Sequence, residues 1–104
     1  MSLLSIAQTV EARLPDGVAE APRVDLDVRP VLAAGEEPFM LIMETAEAVP
    51  ARHVFALRAP FKPVPLFAVM RAKGWAAWVA SGAGDDWTVC FYRKADFYRK
   101  ADFA

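Results

Sequence analysis

The sequence predicts an α/β (α+β) two-layer sandwich, ordered β-α-β-α-β-β around a four-stranded mixed sheet, with an extra helix at the N-terminus. Three observations predict it. Residues 23–28, "RVDLDV", alternate strictly between apolar and polar, the period of a half-buried strand. Residues 53–58, "HVFALR", are almost wholly apolar, as a central strand is. Apolar residues at helical spacing fill the segments between the strands, and a turn-rich hairpin pattern closes the series.

The elements follow in order. Leu3, Ala7, Val10 and Leu14 line one face of a helix over 2–14, capped by Ser2 and ended by Pro15-Asp16-Gly17. Residues 15–22 form a linker. In the first strand Val24, Leu26 and Val28 face one way, while Asp25 and Asp27 mark the wetter face. A loop leads to a helix over 36–48. Glu36 and Glu37 sit where a helix N-terminus favours negative charge, and Pro38 suits a first turn because its missing N–H has no intrahelical partner there. Phe39, Ile42, Met43, Ala46 and Val49 form the buried stripe, with Leu41 on the opposite side.

Pro50 ends that helix and the second strand follows. Pro60, Pro63 and Pro65 exclude "APFKPVPLF" from a central strand, because prolines remove ladder donors. A rigid loop therefore enters a helix over 64–73, with Leu66, Val69 and Met70 inward and Gly74 as its stop. Residues 75–81 and 87–94 make a hairpin joined by "SGAGDD", in which Asp85 and Asp86 read as turn residues. Alternation sets Trp87, Val89 and Phe91 on one face and Thr88, Cys90 and Tyr92 on the other. Right-handed crossovers put both connecting helices on one face of the sheet. The opposite face carries Asp25, Asp27, Trp78 and Tyr92 unless the N-terminal helix or a partner covers it. The motif "FYRKAD" occurs at 91–96 and again at 97–102. The first copy reads as strand end and the second as a tail or short helix. The chain thus divides into an N-terminal helix and linker (1–22), one α/β domain (23–94) and a repeated basic tail (95–104).

Bulk properties narrow the function classes. The 104 residues suit one domain, and 56% hydrophobic residues suffice for a core. The net charge of −1, from 12 basic and 13 acidic residues, argues against nucleic acid as a main partner. A single cysteine, Cys90, allows no internal disulfide, which fits a cytoplasmic protein. No apolar run approaches the roughly 20 residues of a membrane span, and the N-terminus lacks the basic start of a signal peptide.

Three stretches resemble the bacterial family known as domain of unknown function 2249. "LDVRPVLAAGEEPF" is similar to its opening, "RAPFKPVPLFAVMRAKGW" to its second pattern, and "DWTVCFYRK" to its closing strand, together spanning about residues 24–94. That family is similar in fold to the SirA/TusA-like sulfur carriers, whose strand-to-helix junction holds a Cys-Pro pair that carries a persulfide. Here Pro38 stands near the proline and Glu37 near the cysteine. A carboxylate forms no persulfide, so the resemblance implies the fold and argues against sulfur transfer at that place. Family members occur beside hemerythrin-like domains, which implies a redox or nitrogen-oxide context.

The residues themselves offer no catalytic constellation. Asp25 and Asp27 share a face and read as a solvated strand face. His53 and Cys90 lack the spacing of a metal site, and no serine elbow is present. Neither metal nor cofactor is expected. Cys90 is either a small buried hydrophobe or a redox thiol, with Lys94 sharing its face by alternation. The remaining candidate is a place. Two parallel strands feeding two helices bring Arg29, Glu36, Glu37, Arg58, Phe61 and Lys62 to one sheet edge, where open α/β sheets bind ligands and helix N-termini attract anions. The expectation is a non-catalytic cytoplasmic module that binds a partner protein or a small anionic ligand there, in redox or sulfur-related physiology. Two alternatives stand beside it: a thiol relay through Cys90, and self-association as a homodimer through the open sheet face or Leu41.

Overall fold

The structure, a computed structural model, describes residues 14–97. The alternating stretch becomes β1 (Arg23–Asp27) and the apolar run becomes β2 (Val54–Ala59). They pair in parallel, with Val24 opposite Phe55 and Leu26 opposite Leu57. The hairpin strands are β3 (Trp75–Ala83) and β4 (Asp86–Arg93). β4 lies antiparallel to both β2 and β3, so the sheet order is β1-β2-β4-β3 and the mixed four-stranded sheet is as expected.

The connections differ from expectation in detail. The segment read as a loop after β1 holds a short helix, α1 (Arg29–Ala33). Pro30 in its first turn brings a φ already suited to a helix. Gly35, at φ +79°, then turns the chain in a conformation that side chains rarely adopt. The next helix, α2, covers Phe39–Ala48, so Glu36 and Glu37 precede it and Pro38 is its N-cap. α3 (Val64–Ala72) matches expectation. The hairpin turn is tighter than "SGAGDD" implied, since Ser81–Ala83 and Asp86 belong to the strands. A register shift between Val79 and Ser81 marks a bulge at Ala80. The first "FYRKAD" copy leaves the sheet after Arg93 and makes one helical turn, α4 (Lys94–Phe97). Except for Phe97 the second copy lies outside the described residues, as does the expected N-terminal helix up to residue 13.

Two apolar layers hold the sheet. On one face Phe55, Leu57, Val89 and Phe91 pack against Ile42, Ala46 and Val49 of the α2 side and Leu66 and Met70 of α3. Phe55, Val89 and Phe91 are fully buried. Each such side chain contributes about 1.5–3 kcal/mol by leaving water. On the other face Val54, Ala56, Cys90 and Tyr92 pack against Val18 and Phe97. The face that alternation left open is therefore partly covered, by the segment before β1 and by α4. Arg52, at φ +64°, clasps this cover from behind: its backbone N–H donates to the Asp96 carboxylate at 3.0 Å, its guanidinium donates to the Asp96 carbonyl oxygen, and it stacks 5.1 Å from the Phe97 ring centre.

Candidate functional site at the carboxyl ends of the parallel strands

β1 and β2 run side by side, so their carboxyl ends open at one edge, beneath the N-termini of α2 and α3. The backbone continues the pairing past β1, where the Val28 N–H donates to the Arg58 carbonyl at 3.0 Å. The chain then separates apolar from charged side chains at this edge. Val28 turns inward and is buried. With Leu32, Phe39, Ile42, Leu57, Phe61 and Leu66 it lines an apolar cleft of about 210 Å³ between the two helix starts. Phe39 and Phe61 stand at 41% and 51% exposure, too open for core residues. Phe39 was expected in the buried stripe; as the first residue of α2 it instead lines the cleft.

Glu37 is at the cleft wall and its carboxylate accepts the Phe39 N–H at 2.8 Å. This satisfies one of the donors that a helix start leaves without a partner, a task Pro38 cannot perform as N-cap because it has no side-chain acceptor. Glu36 is exposed, and Lys62 lines a different groove, described below.

The two arginines of the expected site point elsewhere. Arg29 forks onto Asp27, with Nε at 3.0 Å and Nη2 at 2.9 Å, and its backbone N–H also donates to Asp27 at 3.0 Å. Arg58 forks onto Asp86 at 2.8 and 2.7 Å, and Arg29 reaches Asp86 at 3.7 Å. Four alternating charges thus form a self-neutralising chain. Hydrogen bonds from Arg29 hold Asp27 below the usual carboxylate range, and those from Arg58 do the same for Asp86. Of the six residues expected at one site, the structure brings Glu37 and Phe61 to the cleft, ties Arg29 and Arg58 into ion pairs, and leaves Glu36 and Lys62 outside it. Asp86 was read only as a turn residue. Its role needs the β2–β4 register, which places it across from Arg58's strand and which no local pattern announces.

Cys90 is buried between Ala56 of β2 and Trp78 of β3. Burial pushes its thiol above the ordinary value, with only a minor opposing pull from Arg23. Lys94 is not among the groups that act on it. Among the described residues no cluster of His, Cys, Asp and Glu could hold a metal ion, and no helix is long and apolar enough to cross a membrane.

Comparison with curated proteins finds no match, and neither does comparison with solved structures. A family model matches residues 25–93, from the first aspartate of β1 to the end of β4, well over half of the chain. That span contains the sheet, the cleft and the arginine–aspartate chain, and so the protein belongs to the family of uncharacterized conserved proteins designated DUF2249.

Proposed function

We propose that this chain is a non-catalytic binding module whose cleft between α2 and α3 receives an apolar side chain of a partner protein. The observation that carries the reading is the cleft itself. It is apolar, it lies where open α/β sheets bind ligands, and two phenylalanines stand exposed at it. Its size decides between occupants: small-molecule pockets run from about 300 Å³ upward, so about 210 Å³ suits one inserted side chain better than a whole cofactor. The pairing of Arg29 and Arg58 with aspartates leaves little positive charge for an anion, which moves the reading from an anionic ligand to an apolar one. A cytoplasmic setting belongs to the same proposal, supported by the single cysteine, and so does a redox or sulfur-related role, which rests on the resemblance in fold to sulfur carriers and not on the buried Cys90 thiol.

Toluene and indole, the ring groups of phenylalanine and tryptophan, test it by amide-resolved NMR titration. The expected shifts gather at Phe39, Ile42, Phe61 and Leu66 and disappear in a Phe39→Ser/Phe61→Ser variant of unchanged stability. Shifts spread evenly over the surface, or none at all, would overturn the reading.

A further inference from the structure

The two edges of the sheet are built differently. At β1 charges occupy every second position, Arg23, Asp25 and Asp27, a common protection against strand addition. At β3 the residues from Trp75 to Ala80 read "WAAWVA", with neither charge nor proline. β3 pairs only with β4, so the alternate N–H and C=O groups on its outer side meet no strand among the described residues. The bulge at Ala80 bends the strand away and confines the flat part of the edge to Trp75–Val79.

A groove of about 400 Å³ runs along that flat part, floored by Trp75, Ala77, Val79 and Phe91. It shares no lining residue with the cleft of the proposed function. Three cations border it: Lys62 from the loop before α3, Arg71 from the last turn of α3, and Lys94 from the start of α4. None of the three forms an ion pair among the described residues, whereas Arg23, Arg29 and Arg58 on the β1 side of the sheet each do. No acidic residue lines the groove.

From this juxtaposition we infer that the β3 edge is a second docking site, which takes an extended acidic segment of another protein as a fifth strand. Backbone pairing with Trp75–Val79 supplies the affinity, small Ala76 and Ala77 allow close approach, and the three cations select carboxylates. A second copy of this chain fits poorly, because edge-to-edge pairing would bring both sets of cations together.

The test uses the full chain and short synthetic peptides of alternating glutamate and valine, which can turn an acidic face to either side. Expected are saturable binding, amide shifts confined to β3 and the groove, and loss of affinity on adding salt. The Lys62→Glu/Arg71→Glu variant, whose changes are on the surface, should bind on the order of tenfold more weakly or worse. Methylating alternate peptide amides should abolish binding in one phase and spare it in the other. Equal effects of both phases would reduce the site to an electrostatic patch and overturn strand addition. Equal binding of a lysine–valine peptide, equal binding of oligothymidylate at the same amides, concentration-dependent dimerisation through β3, or binding that appears only after residues 1–13 or 98–104 are removed would each overturn the inference.

Discussion

The Arg93 guanidinium lies 4.5 Å from the centre of the Trp75 ring and, from that position, donates to three carbonyls at the end of α2. Its Nη2 reaches the Ala46 oxygen at 3.2 Å and the Val49 oxygen at 2.7 Å, and its Nη1 reaches Pro50 at 3.3 Å. The last carbonyls of a helix have no intrahelical donors, and a cation there also meets the negative end of the helix dipole. One side chain therefore joins the last residue of β4 to the first of β3 and to the end of α2. Arg93→Ala should lose about 2–3 kcal/mol, from the cation–π contact and from the Val49 carbonyl, which loses its donor, whereas the Ala46 and Pro50 carbonyls keep the Val49 and His53 N–H groups. For a domain of this size that is a melting temperature lower by roughly 10–20 °C. Arg93→Lys should restore less than half, because an ammonium has no planar fork. A loss under about 0.5 kcal/mol in calorimetry would refute this role.

Gly82 lies opposite Trp87, whose ring covers it. A Cβ at position 82 would come within 2.1 Å of that ring. Gly82→Ala must therefore displace the indole, which also donates to the Gly84 carbonyl at 3.1 Å. The expected cost is about 1–3 kcal/mol, with a change in the near-ultraviolet spectrum of tryptophan. In a Trp87→Leu background most of that cost should vanish, which a double-mutant cycle measures directly.

The Asp27–Arg29–Asp86–Arg58 chain makes a pH prediction. Both aspartates have depressed pKa values when folded, Asp27 mainly through hydrogen bonds from Arg29 and Asp86 mainly through those from Arg58. Groups of this kind add stability above their unfolded pKa and lose it as pH falls through the lower, folded one. Wild type and an Asp27→Asn/Asp86→Asn variant should differ in melting temperature at neutral pH and converge below the usual carboxylate range. Parallel curves down to strong acid would show that these pairs contribute nothing.

Cys90 should react slowly. Its thiol is buried and its pKa raised, so labelling by a disulfide reagent at neutral pH requires local opening. The expected rate is about 100-fold or more below that of the urea-unfolded chain. Cys90→Ser, which puts a hydroxyl among apolar neighbours, should cost about 1–3 kcal/mol. Native labelling as fast as unfolded labelling would contradict the packing.

Much of the fold was legible in the residues. Strict alternation at Val24 and Leu26 gave β1 its inward face, which Val28 continues just past the strand, and three prolines ruled a central strand out of 60–65. The short helix at Arg29–Ala33 is not legible in the residues, because five positions carry no periodicity and only Pro30 marks a helix start. The candidate site was legible as a place and less so as a set of side chains. Arg29 and Arg58 reach the right edge, but their directions depend on Asp27 two residues away and on Asp86 across the sheet. The apolar cleft arises from residues spread from Val28 to Val69, which only the packed helices bring together.

The strand order carries a consequence for how the molecule is made. β3 leaves the ribosome before β4, yet β4 is its only strand partner among the described residues and also the strand that joins it to β2. Until β4 is complete, "WAAWVA" has neither edge paired, and β2 lacks its neighbour on one side. Low charge and high apolar content make such a segment prone to join other unfinished chains. Translation speed across residues 84–93 therefore bears on yield, and a pause there lengthens the time during which the nascent sheet is open.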